Sequence, residues 1–150
     1  MRRARVVGLG GASGGDDAVG LVVAAELAAR GVEASRTQDA AALVELALDV
    51  DLLVVVDAVV GLGAPGRVVG LTEDDLGPAL QAVSTHAVSL PAALAFARLL
   101  YPDRVAPAVR IVGVAIDAPR GPAEGLSPPV AAAVSRAVEA VITLLGSENA

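Results

Sequence analysis

Between Asp51 and Val59 the chain reads DLLVVVDAV, an almost unbroken run of branched apolar residues. A half-exposed strand alternates apolar with polar positions, so a run this continuous reads as a strand covered on both faces. Such a strand needs helices above and below it, and the rest of the chain has the patterns to supply them. ARVVGLG predicts a buried strand entering a glycine turn. DAVGLVVAAELAAR, from Asp17 to Arg30, predicts a helix ending at Gly31. VEASR is a short second strand, and TQDAAALVELAL a second helix with Thr37 as its N-cap. After the turn GLGAPG, RVVGL is a brief strand, and TEDDL a surface turn or a single helical turn. A third helix is expected within STHAVSLPAALAFARLL, with Ser84 or Thr85 near its cap and Pro91 either kinking it or marking a later start. AVRIVGVAI is the last strand, and DAPRGPAEGLSPP a loop rich in Pro and Gly. The closing helix, SPPVAAAVSRAVEAVITLLG, is expected to have Ser127 as N-cap, Pro128 first, and Gly146 as its terminal cap.

Strands that alternate with helices predict an α/β fold, a three-layer α/β/α sandwich around a mostly parallel sheet. Only a turn separates the Asp57 strand from RVVGL, so that pair is expected to be antiparallel, because a parallel pair needs a longer crossover. The length of 150 residues fits one domain, taken as residues 1–150. Phe96 and Tyr101 are the only aromatics, so the core must be built from small branched side chains.

Composition removes several function classes. A net charge of -6 argues against a non-specific nucleic-acid binder, which needs basic patches. All 11 cationic side chains are Arg, so Schiff-base and Walker-type lysine chemistry is excluded. With no Cys there is no disulfide, thiol nucleophile or zinc–thiolate site. MRRARVV is not followed by a long apolar segment. The longest uncharged stretch, Leu76 to Ala97, carries Gln81, Ser84, Thr85, His86 and two prolines, too polar for a membrane span. A soluble, cytoplasmic protein is expected.

The glycine turn, GLGGASGGDDAVG from Gly8 to Gly20, lies at the first strand–helix junction. Gly8 and Gly10 fit a dinucleotide fingerprint, but its third position is Ser13 and the next glycine comes one residue late. A pyrophosphate would sit at the helix N-terminus, where Asp16 and Asp17 would repel it; fixed negative charge there suits a cation. Acidic residues in a first helical turn are also common as plain dipole partners. Asp57 stands at the C-terminal end of its strand, where an unpartnered carboxylate is costly to bury. As a simple turn cap it would accept from the amides of Val59 or Val60. His86, the only histidine, falls at a helix start, where a capping or surface role is the plainer reading. Ligands of open parallel sheets bind at the carboxyl ends of the strands. There Asp17, Asp57 and His86 can meet, an oxygen and nitrogen donor set suited to a borderline divalent ion such as Zn or Ni.

VVGLGGASGGDDAVG, LLVVVDAVVGLGAPG, STHAVSL and VGVAIDAPRGPAEGLSPPV carry a resemblance. In order and separation they are similar to four motifs of the hydrogenase maturation endopeptidases, which trim the C-terminus of the large subunit of nickel–iron hydrogenases. The resemblance runs from about Val6 to Leu145. It implies a twisted five-stranded sheet, mostly parallel with one short antiparallel strand, and helices on both faces. Asp17, Asp57 and His86 match the family's three metal-contacting positions, which implies a catalytic and metal-contacting role for each. The metal implied is nickel brought by the substrate, with no permanently bound organic cofactor or catalytic zinc. The implied partner is a hydrogenase large-subunit precursor, docked along the carboxyl edge of the sheet against Gly8, Gly10, Gly11 and Asp16. Neither nucleic acid nor membrane is expected as a partner, and the protein is expected to be a monomer or weak dimer. Gly11 stands where the family usually has Asn, which moves that residue's role to Ser13 or a backbone amide. Asp17 replaces the commoner Glu and reaches one methylene less far. Two other readings stay open: a nucleotide-binding module using Arg36 for a 2′-phosphate, and a non-catalytic relative that docks or senses metal.

Overall fold

The run that predicts a doubly covered strand forms the centre of the sheet. In the computed structural model, which describes residues 3–11, 14–77, 81–82, 88–119 and 123–148, it is strand β3 (Leu52–Val60). The other strands are β1 (Ala4–Leu9), β2 (Ser35–Thr37), β4 (Val68–Leu71), β5 (Gln81–Ala82) and β6 (Ala108–Ile116). The helices are α1 (Val19–Ala29), α2 (Leu43–Leu46), α3 (Leu90–Leu100) and α4 (Pro128–Glu148). Five strands run in the order β2-β1-β3-β6-β4, all parallel except β4. The two-residue β5 pairs antiparallel with Val59 and Val60, beyond the point where β1 ends its pairing at Val56.

The two-residue period of β3 divides the core. Leu52, Val54, Val56 and Ala58 belong to the cluster packed under α1 and α4, while Leu53, Val55 and Val59 belong to the cluster under α2 and α3. Each fully buried Leu or Val contributes roughly 1.5–3 kcal/mol, and β3 is buried over almost its whole length. This is the expected α/β/α sandwich. By length and hydropathy α4 could cross a membrane. Here its stripe of Val130, Ala133, Ala137, Val138 and Val141 is buried in the cluster that α1 also lines.

Three local expectations are corrected, and one open choice is decided. The strand after the turn is antiparallel, but its partner is β6 rather than β3. Flanked by β1 and β6, β3 has no edge to offer over most of its length. Thr37 does not cap the second helix: it pairs with Leu9 inside β2, and Asp39 caps the 3₁₀ turn Ala40–Ala42 that leads into α2, accepting from the Ala41 amide at 2.9 Å. The third helix takes the later start, with Ser89 Oγ accepting from Ala92 N and Pro91 in the first turn; Ser84 and Thr85 lie outside the described residues. Gly146 does not end α4, which runs on to Glu148.

Candidate functional site

Two carboxylates, Asp17 and Asp57, are the buried charged side chains among the described residues, at 2% and 1% exposure. Different elements bring them together. Asp57 lies within β3, opposite Gly113 of β6 and one residue past the last β1 partner, Val56. It therefore sits at the carboxyl edge of the sheet on the β1 side, although its own strand runs three residues further. Its Oδ1 accepts from the Ala58 amide at 2.8 Å, not from Val59 or Val60, because those residues remain in the sheet. Asp17 comes from a short 3₁₀ turn, Gly15–Ala18, that precedes α1.

Burial is the main reason the Asp57 carboxyl is pushed well above its ordinary pKa. The Ala58 amide opposes the shift, and the nearby Asp17 carboxylate adds to it. Two carboxyl groups held this way favour a shared proton or a cation between them, since either relieves the repulsion and part of the lost solvation. Among the described residues no group of three or more His, Asp, Glu or Cys side chains could hold a metal. His86, the third expected ligand, lies outside the described residues.

The glycines act mainly on packing. A Cβ on Gly8 would overlap the Gly20 carbonyl and lie 2.7 Å from Ala24 Cβ. A Cβ on Gly20 would overlap the Leu9 and Val56 carbonyl oxygens. The missing side chains thus let α1 press its backbone onto β1 and β3. Gly10 faces Leu21 and donates its amide to the Thr37 carbonyl at 3.2 Å. Gly11 donates to the Asp17 carbonyl at 3.0 Å. Their amides are therefore engaged, with β2 and with the 3₁₀ turn, and Gly14 and Gly15, with φ of 71° and 62°, are the loop glycines that line the cleft.

That cleft, of about 250 Å³, lies between the 3₁₀ turn and the end of β6, with Asp16, Asp17, Asp117 and Ala123 in its wall. Asp17 belongs both to the cleft and to the buried pair. Asp16 turns to the base of α4: its carboxylate accepts from Ser127 N at 2.6 Å and from Ser127 Oγ at 2.7 Å. Ser127 holds the N-cap position, its carbonyl accepting from Ala131 N, but its hydroxyl serves Asp16. Asp117 was not singled out by sequence reasoning. Its signal is the one that marks Asp57, a carboxylate at the carboxyl end of a buried apolar strand.

The sequence profile described as "Hydrogenase maturation protease" matches residues 37–144. No curated protein sequence matches. Several solved structures do. The hydrogenase maturating endopeptidase HybD from E. coli is 25% identical with a TM-score of 0.76, covering 97% of this chain and 93% of that one. The hydrogenase 2 maturation peptidase from Thaumarchaeota archaeon SCGC_AB-539-E09 is 28% identical with a TM-score of 0.62, covering 97% and 99%. The NiFe hydrogenase maturation protease HybD from Thermococcus kodakarensis shares the fold at 23% identity and a TM-score of 0.76, covering 95% and 98%.

Proposed function

The chain belongs to the hydrogenase maturation protease family, and on that premise we propose that it removes the C-terminal peptide of a nickel-loaded hydrogenase large-subunit precursor. The observation that carries the reading is the buried Asp17–Asp57 pair at the carboxyl edge of the sheet, beside an acidic cleft. In this reading the precursor's tail lies along the cleft and its nickel is met by Asp17, Asp57 and His86. Nickel is therefore a feature of the substrate, and a precursor without it gives the acidic pair no counter-charge.

A water held by the metal or by a carboxylate attacks the scissile carbonyl. The new C–O bond forms first, and collapse of the resulting oxyanion breaks the C–N bond as the proton given up by the water passes to the leaving amine. Gly14 and Gly15 are the loop glycines that line the cleft, and in this reading their backbone serves the developing oxyanion. With no Cys in the chain, no thioester intermediate is invoked.

The test is incubation with nickel-loaded and nickel-free precursor, followed by intact mass. Loss of a short C-terminal peptide from the loaded form alone is expected. Equal cleavage of both forms would remove nickel from the recognition step. Binding without cleavage would make the chain a docking relative of the proteases.

A further inference from the structure

Gly11 differs from the other glycines of its loop in what its absent side chain leaves room for. An ideal Cβ on Gly11 would overlap Oδ2, Cγ and Oδ1 of Asp17, and these are its three nearest atoms. At Gly8 and Gly20 the obstructing atoms include backbone carbonyls. The φ of Gly11 lies outside the left-handed region, so its backbone would accept any L residue. The first obstruction a side chain would meet is therefore the Asp17 carboxylate. Residue 11 also holds the main chain of Asp17, through the Gly11 N–H to Asp17 carbonyl bond at 3.0 Å.

We propose that Gly11 is a positioning residue: its bare Cα provides the space in which the Asp17 carboxylate lies, and so fixes where that carboxylate meets the cleft and Asp57. The functional half of this rests on the reading of Asp17 as a cleavage-site residue. Any side chain at position 11 leaves Asp17 two options. Its carboxylate rotates out of its present place, or the loop carrying Gly11 moves away. Asp17 already forms part of the cleft wall, so rotation takes the charge away from its present seat beside Gly11.

The test is a cycle of Gly11→Ala, Asp17→Ala and the double variant, with melting temperature, crystal structure and precursor cleavage as readouts. Gly11→Ala is expected to lower the melting temperature by several degrees in the parent and by little in the Asp17→Ala background, where the obstructing atoms are gone. Its crystal structure should show the Asp17 carboxylate displaced and the loop backbone in place. Assayed well below its melting temperature, Gly11→Ala should lose about 10²-fold in kcat, the scale set by a small misplacement of a reacting group. Equal destabilisation in both backgrounds would reduce Gly11 to ordinary packing and overturn the proposal. So would a shifted loop with the carboxylate unmoved, or cleavage at the parental rate. If the parent protein cuts no precursor, the cleavage reading falls, while the melting cycle and the crystal structure still decide whether Gly11 positions Asp17.

Discussion

Removing the Asp16 carboxylate should loosen the whole carboxyl edge, and its cost follows from two hydrogen bonds. Asp16 accepts from the amide and the hydroxyl of Ser127 at 2.6 and 2.7 Å, across 111 residues of sequence. Bonds to an ionised acceptor contribute about 1.5–3 kcal/mol each in mutational series. Both share one anchor and the site is only half-buried, so Asp16→Ala is expected to cost about 2–4 kcal/mol rather than the full sum. For a chain of 150 residues the unfolding entropy is roughly 0.3 kcal/mol per kelvin. The melting temperature should then fall by about 6–13 °C in differential scanning calorimetry. Ser127→Ala removes the hydroxyl but keeps the amide, so about half of that fall is expected, and the double variant should lose less than the two single losses added. A fall under about 2 °C for Asp16→Ala would refute the clamp. If that variant instead kept its melting temperature and raised KM for the precursor, Asp16 would be a substrate contact rather than a structural one.

Asp57→Asn tests the electrostatics of the pair. A carboxyl whose folded pKa is raised contributes stability below its unfolded value, about 3.9, and loses that contribution as pH rises through the folded value. The variant should therefore melt above the parent at pH 8 and lose that advantage toward pH 4, while precursor cleavage is abolished. An Asn variant that melts below the parent at both pH values would contradict the assignment. Gly20→Ala tests the helix–sheet contact, since its Cβ would overlap two carbonyl oxygens that cannot swing aside. A loss of about 2 kcal/mol or more in urea unfolding is expected, against the small gain that Gly→Ala usually brings inside a helix. A neutral or stabilised variant would mean that α1 can lift off the sheet without cost.

The layered fold was legible because β3 and β6 are too apolar to face water on either side, and burial on both faces admits few architectures. Pairing was less legible. β4 follows β3 by a short turn, yet its neighbour is β6, because which edge is free is a property of the assembled sheet. Thr37 illustrates a second limit: its sequence context suits a cap, but pairing with Leu9 draws it into β2, and Asp39 caps the 3₁₀ turn that leads into α2. At the site, Asp57 was legible as a carboxylate in a buried apolar run and Asp17 as an acid between a strand and a helix, but not that β3 runs three residues past Asp57. The bond from Asp16 to Ser127 cannot be read, because nothing local in either segment points to the other. Gly8 and Gly20 were legible as glycines of a tight junction, but not as two halves of one backbone contact.

Burying Asp17 beside Asp57 works against the fold, so the turn that carries Asp17 has to be held from outside itself. Asp57 is fixed by β3, flanked on both sides, and by the Ala58 amide. The 3₁₀ turn is too short to hold Asp17 alone. It is pinned by the Gly11 amide on the Asp17 carbonyl, by the bridge between Gly14 and Ala123, and by Asp16 on Ser127. Two of the three restraints tie it to the segment that leads into α4. If they loosened, Asp17 would gain water by turning into the cleft, and the like-charge repulsion with Asp57 would fall. The arrangement is thus a tensioned one, with stability in the α4 connection spent on keeping two carboxylates together. In the proposed reading, a substrate that brings a cation to the pair relieves this tension on arrival. Nickel-loaded precursor should therefore raise the melting temperature of the protein more than nickel-free precursor at equal concentration, and that difference should vanish in Asp57→Asn.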